Sequence, residues 1–202
     1  MVDVGAKPPT KRTAIAIAHI RVGPEVYQQI EANSNAKGDV LGIARTAGIM
    51  AAKRTSDLIP LCHPLAITKA EVDVYLVPPG YRCNVWGSAQ GRLVALQARV
   101  ECVGPTGVEM EALVAVQGAA LTVVDMCKAV DKRLCIDGAK VVYKAGGRSG
   151  VSVDVRWREG IGSWRDKFGD DGVIKEGVEG GELLVRGGLN PSGWKGSSGV
   201  SK

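Results

Sequence analysis

Aromatic residues are scarce in this chain. They make up 4% of its 202 residues, and Phe168 is the one phenylalanine. A basic sheet that reads single-stranded RNA needs exposed rings for base stacking, so this shortage removes the main support for a nucleic-acid partner. Histidine is scarcer still, with only His19 and His63. The five cysteines, at positions 62, 83, 102, 127 and 135, are odd in number and form no C-x-x-C. That usage argues against a disulfide framework and for reduced thiols in a cytosol-like compartment. No apolar run approaches the roughly 18 residues of a membrane span, so no membrane partner is expected. The start, MVDVGAKPPTKR, has no apolar signal core and resembles no full transit peptide. The phosphate-loop pattern G-x-x-x-x-G-K-[ST] and internal repeats are absent as well.

What is present is apolar residue, 45% of the chain, enough for one domain with a core and a tail. The net charge of +5 is unevenly spread. Residues 1–150 carry 18 Lys+Arg against 13 Asp+Glu, whereas 151–202 carry eight of each. A modest excess of this kind suits an anionic small molecule as well as any larger polyanion. Residues 151–202 also hold 12 of the 27 glycines and end in NPSGWKGSSGVSK. They read as a Gly-rich, poorly ordered extension, with a docking segment around Trp157, Trp164 and Trp194 as the minority reading.

Within 1–150 the patterns alternate between periods. Segment 12–22 is β-branched and alternating, a strand. Pro24 opens a helix with Val26, Tyr27 and Ile30 at helical spacing. Asp39 suits the N-cap of a second helix running to about Arg54, with Lys53 and Arg54 offsetting its C-terminal dipole. Segments 66–77 and 92–103 read as strands with one wet face, joined by a turn-rich stretch. Residues Thr106 to Glu109 fit a capping box that opens a long helix to about Val130. A strand at roughly 139–144 runs into AGGRSG. The order predicts an α+β fold, a ferredoxin-like βαββαβ sandwich with an extra helix and an antiparallel sheet.

Several residues in this frame call for partners. LIPLCHPL, at 58–65, places Cys62 beside one of the two histidines. Adjacent Cys and His have neither zinc spacing nor the geometry of a nucleophile with its base. Lys37 precedes Gly38 and Asp39, a turn from which a lysine can project toward an anion. Lys144 and Arg148 flank a Gly-Gly turn whose N–H groups could wrap a phosphate. Glu109 has a capping role to explain it, but Glu111 sits in the apolar stretch GVEMEALVAV and needs a partner. Asp125 and Lys128 are three apart on one helical face in apolar surroundings. That suggests a shielded pair with shifted proton affinities and makes Lys128 the best general acid. Glu111 and Asp125 share a face of the same helix but lie about 21 Å apart. One site using both needs an extended ligand or a second subunit.

KGDVLGIARTAGIMAAKRTSDLIPLCHPL, GPTGVEMEALVAVQGAALTVVDMCKAVDK and YKAGGRSG, in that order, resemble the molybdenum cofactor biosynthesis protein C family. The resemblance covers residues 1–150. It implies a hexamer built as a trimer of dimers with sites at subunit interfaces. It implies a lyase that converts (8S)-3′,8-cyclo-7,8-dihydroguanosine 5′-triphosphate, the product of a radical SAM GTP cyclase, to cyclic pyranopterin monophosphate with release of pyrophosphate. No metal or organic cofactor is implied, and the compartment is cytoplasm or mitochondrial matrix. Asp125, Lys128 and Lys37 match catalytic positions. Leu61, Cys62, His63, Glu109, Met110 and Glu111 match substrate contacts, and Arg12 and Lys144 match basic positions near the phosphates. About a dozen residues that usually precede the MVDV-like start are absent, 78–91 reads as an insertion, and 151–202 has no counterpart. A truncated or impaired homologue acting as an assembly scaffold therefore stays open as the alternative.

Overall fold

The computed structural model describes residues 1–77 and 92–154. The expected insertion at 78–91 and the extension beyond residue 154 lie outside the described residues, as do the readings of the extension as poorly ordered or docking.

Alternation in TKRTAIAIAHIRV builds strand β1, Thr10–Val22. Helix α1, Pro24–Glu31, follows with Pro in its first turn and buries Val26, Tyr27 and Ile30, the three residues spaced for it. Helix α2, Val40–Ala52, begins where the Asp39 carboxylate accepts the Gly42 N–H at 2.9 Å. Such a cap contributes about 1 kcal/mol. A single turn, α3 (Thr55–Leu58), leads past the LCHP stretch into β2, Ile67–Val77. Then come β3 (Arg92–Gly104), the long helix α4 (Glu109–Cys127) and β4 (Cys135–Ala145). Ser152 and Val153, assigned by composition to the extension, form a short β5 against Tyr143 and Lys144.

The five strands lie in the order β2-β3-β1-β4-β5, every neighbouring pair antiparallel. The fold is α+β, as the element order predicts. Ala14, Ala16, Ala18 and Ile20 of β1, with Val94, Leu96, Ala98 and Val100 of β3, face Ala112, Ala115, Val116, Ala119 and Val123 of α4. Fully burying a valine such as Val116 contributes about 1.5–3 kcal/mol. α4 has the length and apolar composition of a membrane-crossing helix, against the sequence reading, yet just over half of it is buried inside this fold.

Three local expectations need correction. The capping box does not form: Val108 is the N-cap of α4, no side chain caps it, and Glu109 is already the first helical residue. α4 also stops at Cys127, with Lys128 as C-cap, rather than continuing to Val130. Finally, β3 is buried on both faces. Gln97, Arg99 and Glu101 point away from the helices and are nonetheless 4%, 6% and 7% exposed. Polar letters on alternate positions read as a wet face, but here two of them, Arg99 and Glu101, pair with each other. Arg99 Nε donates to Glu101 Oε1 at 2.7 Å, and Lys11 lies 3.7 Å from Glu101 Oε2.

Candidate active site

At the C-terminal end of α4 three charged side chains meet. Lys37 stands on the turn between α1 and α2, where Gly38 takes φ +94°, a conformation open to glycine. Its Nζ donates to Asp125 Oδ2 at 2.7 Å and to the Asp125 carbonyl at 3.0 Å. From the other side Lys128 Nζ donates to Asp125 Oδ1 at 2.5 Å, the i,i+3 pair that the sequence spacing predicts. Bonds and charge from Lys128 first, and from Lys37 second, hold the Asp125 carboxyl at about 2. A carboxylate that stays ionised keeps two ammonium groups oriented around one point, an arrangement suited to moving protons at a bound substrate.

This cluster is not shielded in the single chain. The side chains of Lys37, Asp125 and Lys128 are 47%, 54% and 61% exposed. The apolar letters around DMCK belong to the buried face of the last turn, Met126 and Cys127, while Asp125 and Lys128 project off the opposite side.

The N-terminal end of α4 borders a cationic pocket of about 620 Å³. Arg12, Lys144, Lys7 and Arg148 line it together with Glu109 and Ser149. Ala14 pairs with Lys144 across β1 and β4, so Arg12, two residues earlier on β1, shares the face of Lys144. Arg12 is braced by donating through Nε to the Gly104 carbonyl at 3.3 Å and through Nη2 to the Pro105 carbonyl at 3.2 Å. Lys144 Nζ donates to Ser149 Oγ. The Gly-Gly turn is required here: Gly146 and Gly147 have φ +100° and +75°, and a Cβ on Gly147 would occupy the place of the Arg12 guanidinium. Four cations against one carboxylate make this pocket a fit for a polyanion such as a chain of phosphates.

The LCH stretch lies toward this same end. Leu61 is 70% exposed and Met110 36% exposed, two apolar surfaces without cover. His63 Nε2–H donates to the Val2 carbonyl at 2.9 Å, since a carbonyl can only accept. Burial raises the Cys62 thiol, and the Glu111 carboxylate adds to the rise. Cys62, only partly buried, is therefore a poor nucleophile. Glu111 is 4% exposed. Burial pushes its carboxyl up, the bond to its own N–H pulls it back, and Glu109 nearby pushes it up again. Among the described residues no three His, Cys, Asp or Glu side chains converge on a common point as metal ligands do.

The predicted residues thus fall into two groups. Lys37, Asp125 and Lys128 gather at one end of α4, and Arg12, Glu109 and Lys144 gather at the other, with Cys62 near Glu111. Sixteen residues of helix separate Glu109 from Asp125, about 24 Å at 1.5 Å per residue. No single reacting centre in one chain touches both groups. Lys7 and Ser149 belong to the pocket and were not foreseen, because an isolated lysine before PP and a serine in a glycine turn carry no spacing signal.

A model of the MoaC family matches residues 1–147. The cyclic pyranopterin monophosphate synthase of Thermomicrobium roseum is similar at 55% identity over 151 residues, 75% of this chain and 84% of that protein. That of Roseiflexus sp. is 53% identical over 154 residues, 76% of this chain and 90% of its own length. That of Clostridium botulinum is 50% identical over 150 residues, 74% and 87% of the two chains. The match spans well over half of the sequence and includes Lys37, Asp125 and Lys128 as well as Arg12 and Lys144 of the pocket, and the chain belongs to the MoaC family.

Proposed function

We propose that this protein is a cyclic pyranopterin monophosphate synthase. It is a lyase that converts (8S)-3′,8-cyclo-7,8-dihydroguanosine 5′-triphosphate to cyclic pyranopterin monophosphate and pyrophosphate, an early step of molybdenum cofactor biosynthesis. The observation that carries this reading is the pairing of a Lys–Asp–Lys cluster with a four-cation pocket within a chain about half identical to synthases of that name. Opening the ribose–purine bond and rebuilding a pterin ring needs protons given and taken at several atoms, the task of Lys37 and Lys128 around Asp125. Closing the cyclic phosphate joins a sugar oxygen to the α-phosphorus and breaks its bond to the β-phosphate oxygen. Arg12 and Lys144 hold the charge that develops on the departing pyrophosphate. Leu61, Cys62, His63, Glu109, Met110 and Glu111 frame the ring system. No organic cofactor or metal enters this scheme.

The separation of the two groups supports sites shared between subunits, one chain giving Lys37, Asp125 and Lys128 and a neighbour giving the pocket. A hexamer built as a trimer of dimers is the assembly the family resemblance implies. The bacterial origin of the relatives favours a cytoplasmic setting, with a radical SAM GTP cyclase supplying the substrate. No observation favours the matrix compartment or the impaired-scaffold alternative. The deciding experiment is pyrophosphate release by the purified chain given the cyclised dihydro-GTP, with GTP as control. Release from the first alone is expected. No release from a folded, assembled protein would overturn the reading.

A further inference from the structure

Asn35 lies on the turn that carries Lys37 and is 8% exposed. A buried amide must find partners for both its ends. Its Oδ1 accepts the Lys37 backbone N–H at 2.9 Å. Because that N–H can only donate, the amide orientation is fixed, and Nδ2 faces inward. There Nδ2 lies 3.4 Å from Gln29 Oε1 on α1 and 3.8 Å from Cys127 Sγ on α4. The Asn35 carbonyl accepts the Gly38 N–H at 2.9 Å, closing the turn. One side chain therefore shapes the Lys37 turn and fastens it to the last turn of α4, where Cys127 stands between Asp125 and Lys128. Among the described residues, the only other hydrogen bonds joining this turn to α4 come from Lys37 itself.

We infer that Asn35 is a positioning residue for the Lys37–Asp125 pair, setting where the lysine ammonium sits without touching the substrate. An exposed lysine on a long stem gains little from a solvated ion pair, so the place of its ammonium is governed by how firmly its backbone is held. Asn35 supplies that hold from the dry side of the turn. Nothing in the pattern of charges points to it: the residue is one polar letter in ANSNAKGD.

The kinetic part of the test rests on the synthase reading, so it is paired with a measurement that does not. In the full chain, Asn35→Ala should lower kcat for pyrophosphate release about 10- to 100-fold with KM changed less than about twofold, the split expected when only the reacting geometry is loosened. Carboxyl NMR should show Asp125 titrating above its wild-type position but below an ordinary aspartate, since Lys128 stays. Asn35→Ser, whose hydroxyl can still accept the Lys37 N–H, should fall between alanine and wild type in both. A folded alanine or serine variant with unchanged kcat, or with lowered kcat and unmoved Asp125, would overturn the inference. Where the alanine chain does not fold, the serine variant decides by the same two readouts. If the wild type releases no pyrophosphate, the synthase reading fails, and the Asp125 titration alone then judges Asn35.

Discussion

At the scale of single residues, the exposed cluster around Asp125 separates function from stability. Lys128→Ala removes an ammonium that is mostly in water, so the melting temperature should hardly move. Turnover should fall by about 10²- to 10⁴-fold if Lys128 transfers a proton. Retained turnover in a steady-state assay would remove it from the chemistry. Glu111 predicts the opposite pattern. Its folded carboxyl is raised by burial, so whatever it contributes is intact below the ordinary glutamate range and is lost as pH rises through the folded value. Glu111→Gln should therefore raise the melting temperature near neutral pH and leave it unchanged in acid, which thermal scans across pH would check. The spacing of Asp125 and Lys128 was legible in the sequence because it lies within one helix. Lys37 stood out locally as a lysine on a glycine turn, but its place beside Asp125, 88 positions away, had no local signal, since no local rule links a loop to a distant helix end. Asn35 left no trace at all.

Among elements, α2 and α4 approach each other closely. Gly48 of α2 would place a Cβ 2.9 Å from the Ala115 carbonyl, and Gly118 of α4 would place one 2.5 Å from the Ala51 Cβ. Glycine weakens a helix interior by about 0.5–1 kcal/mol relative to alanine, and here it lets two backbones approach. Gly118→Val should push them apart and cost about 1–3 kcal/mol, read as a lower urea midpoint with an unchanged slope. Strands and helices were legible because their apolar periods differ, 2 against 3.6. Their ends were less so. Thr106 and Glu109 have the letters of a capping box, but the chain leaving β3 brings Val108 to the cap. The buried Arg99–Glu101 pair looked wet because charge usually means water; two positions apart on one strand the residues share a face, but the letters do not show that this face is covered.

For the whole molecule, the two groups of site residues make a claim about assembly. If each site takes its lysines from one chain and its cationic pocket from another, Lys128→Ala and Lys144→Ala proteins are each inactive for different reasons. Random co-assembly gives a site with both intact halves in about one case in four, so mixed and reassembled proteins should regain about a quarter of wild-type turnover. No recovery beyond the sum of the separate variants would place each site within one chain. The same arrangement turns α4 into a ruler. Inserting one residue in its middle would lengthen it by about 1.5 Å and rotate one end about 100° against the other. Each half-site could keep all its own contacts and still meet its counterpart out of phase. Substitutions along the wet side of α4 are then far easier to absorb than any change in its length.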